Sequence, residues 1–120
     1  LFPGAKLVPG IDLVLDAIGF DDHLNGADLV LTGEGRLDSQ TLGGKVIAGV
    51  AKRARARNVP VVALVGGIGS DVTGAALAEA GVAAMLPLAP GPCTLAESME
   101  NTARWLADAA ERAARLIYIR

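Results

Sequence analysis

Cysteine is all but missing from this 120-residue chain. Cys93 stands alone, so neither a disulfide framework nor a thiolate metal site can be assembled within it. A reducing cytoplasm is the setting this implies. Aromatic residues are also scarce, at 3% of a chain that is 52% hydrophobic. The core must therefore be built from Ala, Val, Leu and Ile, a composition that favours close packing of helices on a sheet. Neither sign of charge dominates: eleven basic against thirteen acidic residues leave a net charge of −2. No Lys/Arg block is interleaved with aromatics, which removes the footprint expected of a nucleic-acid binder. The densest basic stretch, Lys52, Arg53, Arg55 and Arg57 with Ala54 and Ala56 between, reads as the wet side of an amphipathic helix. Long apolar runs are lacking as well. Residues 59–68 form the longest, about half the length a bilayer span requires, and Pro60, Gly66 and Gly67 break it. No membrane association is expected. The opening Leu1-Phe2-Pro3-Gly4 shows neither an initiator methionine nor a signal-peptide pattern and enters mid-pattern, so the chain is expected to be a piece of something longer.

The chain does contain alternating helical and strand patterns on the scale of one domain. Ile11, Val14, Leu15 and Ile18 recur at helical spacing and stop at Gly19, which can take the left-handed conformation of a helix C-terminus. Residues 27–31 read as a strand. Val46, Ile47, Val50, Ala51 and Ala54 mark the buried face of a helix ending near Asn58. Residues 59–65, VPVVALV, are a continuous apolar, β-branched run of the kind found in strands covered on both faces. Asp71 is the expected N-cap of a helix over residues 72–80 that Gly81 ends, and residues 82–88 supply another strand. Thr94 with Glu97 forms a T-x-x-E capping box. It opens a long helix reaching about Leu116, with Leu95, Met99, Thr102, Leu106, Ala109, Ala110 and Ala113 inward. The alternation predicts an α/β three-layer sandwich with a largely parallel, Rossmann-like or flavodoxin-like sheet.

The chemistry concentrates in residues 32–45, TGEGRLDSQTLGGK, read as a polar loop opening from the end of the first strand. In a parallel α/β fold, ligands bind at the carboxyl ends of strands, where loops meet helix N-termini. Gly33 and Gly35 begin a G-x-G-x-x-G pattern, but Asp38 stands where the third glycine belongs, and a carboxylate there would repel pyrophosphate. Gly67, Gly69 and Val72 fail at the same position. Residues 39–46 lack the first glycine and the terminal hydroxyl of a Walker loop. What survives is a set of groups suited to phosphoryl transfer. Lys45 beside Gly43 and Gly44 can join backbone N–H groups in holding phosphate oxygens, while Glu34 and Asp38 can coordinate Mg2+ or accept a proton. The competing reading is plain: Glu34 pairs with Arg36, Asp38 or Ser39 caps the following turn, and Lys45 is solvated. His23 reads as part of a turn, and Ser39 lacks the G-x-S-x-G elbow of a hydrolase nucleophile.

The run ADLVLTGEGRLDSQTLGGKVIAGVAKRA, followed by NVPVVALVGG, resembles the signature of the bacterial glycerate kinase family, and the chain from residue 9 onward looks like the carboxyl-terminal third of such an enzyme. The resemblance implies ATP-dependent phosphorylation of D-glycerate to a phosphoglycerate, with Mg2+, in a cleft between two domains. It further implies that the α/β domain is discontinuous, built from both chain ends. An Asp-Ser-Phe-Lys type motif and the inserted domain of that family are absent, so the chain is expected to be a fragment without activity alone. Under this resemblance Asp38 is the candidate general base or metal ligand, and Glu34 the second metal candidate. Arg36 and Lys45 would neutralise the transferred phosphoryl group or grip the glycerate carboxylate. Ser39, Gln40 and Thr41 would bond glycerate hydroxyls, and Gly33, Gly35, Gly66 and Gly67 would let a ligand approach the backbone. Sheet edges left bare by the missing segments are expected to drive self-association. The alternative is a non-catalytic α/β module for ligand binding or oligomerisation.

Overall fold

Every residue from Val61 to Val65 is buried, which a strand achieves only with cover on both faces. The structure, a computed structural model, describes residues 10–117; Leu1-Phe2-Pro3-Gly4 lies outside them. Its elements are α1 (Gly10–Ala17), α2 (Phe20–Leu24), β1 (Val30–Leu37), α3 (Ser39–Leu42), α4 (Lys45–Ala56), β2 (Val61–Ile68), α5 (Gly74–Ala80), β3 (Ala84–Pro87) and α6 (Leu95–Ile117). Strand β2 is central, and the sheet order is β1-β2-β3, parallel throughout.

Side chains alternate across β2 with the two-residue period of a strand. Val61 packs with Leu15, Leu24, Val50 and Ala54, and Ala63 and Val65 pack with Leu42, Ile47 and Leu77. On the other face Val62 and Leu64 meet Ala109 of α6. Helices α3, α4 and α5 thus line one side and α6 the other, giving the expected three-layer α/β architecture.

Several boundaries differ from the sequence reading. The first strand covers Val30–Leu37 rather than residues 27–31, so Thr32, Gly33, Glu34, Gly35 and Arg36 belong to the sheet and not to a loop. Pairing with β2 from Val30↔Val61 to Leu37↔Ile68 supplies ladder bonds that outweigh the low strand propensity of the two glycines. The same pairing carries β2 through Gly66 and Gly67, and its start moves from Val59 to Val61. Strand β3 is shorter than residues 82–88. Helix α5 begins at Gly74 because Thr73, not Asp71, is its N-cap: the Thr73 hydroxyl accepts from the Ala76 N–H at 3.1 Å. Gly81 ends it as expected, at φ 83°. The turn read around His23 is a short helix, α2, entered through Gly19 at φ 67°.

Helix α6 keeps its N-terminal cap, with the Thr94 hydroxyl accepting from the Glu97 N–H at 3.1 Å, but only part of its inward stripe is covered. Ala109 and Ala113 are buried, together with Trp105. Leu95 and Met99 are 77% and 72% exposed, and Leu106 is exposed too. Thr102 bonds its own helix through the Ser98 carbonyl. The stripe was periodic enough to predict a helix; the sheet, however, reaches only its carboxyl-terminal half. Val14 and Ile18 of the first helical segment are likewise exposed.

Helices α1 and α2 are tied to α4 through Arg53, the one residue of the basic run that is not on a wet face. Its guanidinium meets Asp12 at 3.1 Å, Asp16 at 2.8 Å and Asp21 at 3.4 Å, and its side chain is 15% exposed. The hydrogen bond to Asp16 raises its affinity for the proton above the ordinary value. Removing the guanidinium leaves three carboxylates facing one another without the cation that bridges them. Arg53→Met is therefore expected to expose α1 and α2 to protease while the β2 amides keep their hydrogen-exchange protection, with added salt restoring part of the loss by screening.

Candidate functional site at the carboxyl ends of β1 and β2

The parallel register places Arg36 opposite Gly67 and Leu37 opposite Ile68, so both strand tips finish side by side. They are held close by missing side chains. A Cβ on Gly66 would stand 2.6 Å from the Gly35 carbonyl oxygen, whereas one on Gly67 would meet only ordinary contacts at 3.9 and 4.0 Å. Gly66 and Gly67 therefore differ, although they looked alike as a pair. Gly66→Ala is expected to cost about 1–3 kcal/mol in a urea melt, because backbone cannot move aside as a side chain can, while Gly67→Ala should cost much less.

Asp38 follows the last residue of β1 and caps α3. Its Oδ1 accepts from the Thr41 backbone N–H and from the Thr41 hydroxyl, each at 2.9 Å. The Thr41 N–H, then the Thr41 hydroxyl, and more weakly the Arg36 charge hold the Asp38 carboxyl below its ordinary pKa. It is therefore ionised throughout the physiological range. The cap that competed with a catalytic role is present, but a cap keeps the carboxylate charged and fixed, which a metal ligand also needs. The single proton of the Thr41 hydroxyl is shared between Asp38 Oδ1 and the Arg36 carbonyl, which lies 3.2 Å from that hydroxyl oxygen, so it is committed within the turn.

The other residues singled out above are spread along the tip. Glu34 is half-buried and pairs with Val65. It makes no ion pair with Arg36 among the described residues. Four strand steps separate it from Asp38, about 13 Å at 3.3 Å per residue, too far for both carboxylates to share one ion directly. Among the described residues no group of three or more His, Cys, Asp or Glu could hold a metal. Lys45 is exposed at the first position of α4. The N–H groups of Gly43 and Gly44, expected to face phosphate, are instead taken by the Ser39 and Thr41 carbonyls, at 3.1 and 3.0 Å. The turn that ends α3 uses them, leaving the first-turn N–H groups of α4 itself for an anion. Ser39 and Gln40 are exposed at the start of α3, and Gly33 and Gly35 have open space where a Cβ would be.

Two residues of the tip were missed. Gly69 and Asp71 follow β2, and both Asp38 Cβ and Asp71 Oδ1 lie within 3 Å of the point where a Gly69 Cβ would stand. The cap pattern of Asp71 conceals its place at the tip; the third glycine of GGIGSD is the signal in the sequence. Separately, a groove of about 580 Å³ runs between α4 and α5, lined by Leu42, Ala48, Ala51, Lys52, Arg55 and Glu79 among others. Ser39 reaches it, but Glu34, Asp38 and Lys45 do not.

Comparison with known proteins bears on this site. The model of the glycerate kinase family matches residues 1–118. The glycerate kinase of Bacillus subtilis is 42% identical over 111 residues, 92% of this chain and 28% of that protein. The glycerate kinase of Haemophilus influenzae is 33% identical over 98% of this chain and 30% of its own length. Among solved structures, a Salmonella typhimurium LT2 protein described as glycerate kinase 2 superposes with a TM-score of 0.61 at 36% identity, covering 94% of this chain and 27% of that one. The chain thus spans under a third of the length of these relatives.

Proposed function

The chain belongs to the glycerate kinase family, and on that premise we propose that it supplies one wall of a site for ATP-dependent phosphorylation of D-glycerate to a phosphoglycerate. The observation that carries this reading is the ionised, doubly hydrogen-bonded Asp38 at the carboxyl edge of a parallel sheet, followed at once by two helix N-termini. That is where phosphate-handling sites occur in α/β folds.

The residues fit Mg2+. This ion keeps several waters and is held by one or two carboxylates together with substrate phosphates, so it needs no cage of three protein ligands. Asp38 would hold it, and bound there the ion would neutralise charge on the phosphate oxygens. The lowered pKa favours one of the two roles considered for Asp38. A general base works best with a pKa near the operating pH, and Thr41 pulls this carboxyl the other way. The metal role is therefore the better fit. Arg36, beside Asp38, and Lys45, at the N-terminus of α4, would stabilise the transferring phosphoryl group or the glycerate carboxylate. Ser39 and Gln40 would bond glycerate hydroxyls. With Thr41 engaged in the turn, its part is to hold Asp38. Glu34 is assigned no share in the same ion.

The remaining half of the cleft would come from a second domain and from the other part of a discontinuous α/β domain, so the 120-residue chain is expected to be inactive alone. A coupled assay for ADP release tests both halves of the proposal. Glycerate-dependent turnover is expected of a complete polypeptide carrying this segment, and turnover by the isolated chain would contradict its role as one wall. Tight flavin binding without any nucleotide effect would favour a non-catalytic module. Strands β1 and β3 are the outer strands of the described sheet, and their open edges invite pairing between copies. Sedimentation is expected to show self-association, and a clean monomer would argue against it. No helix among the described residues is long and apolar enough to cross a membrane, and the exposed thiol of Cys93 suits the reducing cytoplasm proposed as its compartment.

A further inference from the structure

We propose that Gly69 is the positioning residue for Asp38: the missing side chain at the tip of β2 lets that tip close on Asp38 and hold its carboxylate in the working position. The proposal rests on the metal-binding reading of Asp38 given above. The Gly69 N–H donates to the Leu37 carbonyl at 2.7 Å, fastening the end of β2 to the residue immediately before Asp38. A Cβ on Gly69 would stand 2.9 Å from the Asp38 Cβ and 3.3 Å from its Cα. Neither atom is the end of a flexible chain, so relief requires the backbone at Asp38 and the tip of β2 to move apart. The further contact, 2.8 Å to Asp71 Oδ1, can relax by side-chain rotation and is not the decisive one.

Space, not backbone conformation, demands glycine here. Gly69 is buried, and it is not among the described residues with positive φ. A displaced Asp38 would lose its aim at the Thr41 N–H and hydroxyl, the two bonds that fix the carboxylate. Gly69 therefore acts through Asp38 and does not itself touch substrate. Asp71 is a second carboxylate that this geometry brings to the tip.

The test uses the 15N-labelled chain with Gly69→Ala, compared with Asp38→Ala and with Gly74→Ala, a glycine that has nothing within 4 Å of its Cβ position. In Gly69→Ala the Thr41 amide resonance is expected to move most of the way to its position in Asp38→Ala, while Gly74→Ala leaves it in place. In a complete polypeptide carrying this segment, affinity for Mg2+ with ATP should fall about tenfold or more, the scale of loss when the support of a metal ligand is removed. An unmoved Thr41 resonance overturns the proposal, as does unchanged affinity in Gly69→Ala where Asp38→Ala abolishes binding. If a complete polypeptide carrying this segment unsubstituted binds no Mg2+ with ATP, the reading of Asp38 fails on its own, and the Thr41 resonance alone decides the positioning role. If Gly69→Ala does not fold, the same substitution is made in an Asp38→Gly background, which removes the clashing Cβ. Recovery of cooperative unfolding supports the proposal, and failure to recover overturns it.

Discussion

Asp38→Asn is expected to lower glycerate-dependent ATP turnover by about a hundredfold or more in a complete polypeptide carrying this segment, the scale seen when one preorganised electrostatic contact to a transition state is removed. The substitution is chosen because it separates chemistry from folding. Asparagine is as good an N-cap as aspartate, so the bond from the Thr41 N–H to the side-chain oxygen at this position can persist and the urea midpoint should barely change. What is lost is the negative charge that Thr41 and Arg36 stabilise. Steady-state kinetics across Mg2+ concentrations check the assignment: a metal ligand predicts that raised Mg2+ recovers part of the activity. A pure general base predicts a low kcat that Mg2+ does not move.

Leu37→Ala should produce the largest change in stability. Leu37 is fully buried and packs with Leu42, Ile47, Ala63 and Val65 at the junction of β1, α3, α4 and β2. Truncating such a side chain removes its transfer energy and leaves a cavity, costing about 2–5 kcal/mol, a large share of the 5–15 kcal/mol that holds a typical domain together. The loss is read as a fall in the urea midpoint at unchanged slope. A second consequence follows from position. Leu37 immediately precedes Asp38 and its carbonyl accepts from Gly69, so a loosened core at this point should also weaken the Asp38–Thr41 turn. The Thr41 amide would exchange faster even under conditions where the protein is fully folded.

The layered fold was legible because its central strand is unambiguous. VPVVALV has no polar position, and only a strand buried on both faces, or a buried helix too short to be useful, accounts for that. Gly81 and Thr94 were legible for a similar reason, since local chemistry fixes each as a helix terminus. The extension of β1 through TGEGR was not, because glycine and charge argue against a strand locally and only pairing with β2 supplies the missing ladder. Parallel pairing is non-local, so no window of the sequence contains it. The exposure of Leu95 and Met99 was hidden for a related reason: periodicity reports which face of α6 is apolar but not how far the sheet beneath it extends.

Within the candidate site, residue types pointed to phosphate chemistry, yet the roles depended on partners seen only in three dimensions. Gly43 and Gly44 looked like phosphate-holding amides until the end of α3 claimed their N–H groups. Glu34 looked like a companion of Asp38 until the extended backbone of β1 set them four residues apart along its length. Gly69 and Asp71 drew little notice, although the approach of β2 to Asp38 depends on the first and brings the second with it.

The central claim is that the joined tips of β1 and β2 handle a metal-bound phosphate. Paramagnetic broadening by Mn2+, added with an ATP analogue to the 15N-labelled chain as a substitute for Mg2+, tests it most directly. Loss of signal centred on Asp38 to Thr41 and on Gly69 to Asp71, abolished by Asp38→Asn, is the predicted result. Broadening centred instead on Asp12, Asp16 and Asp21, with the strand tips unaffected, would contradict it.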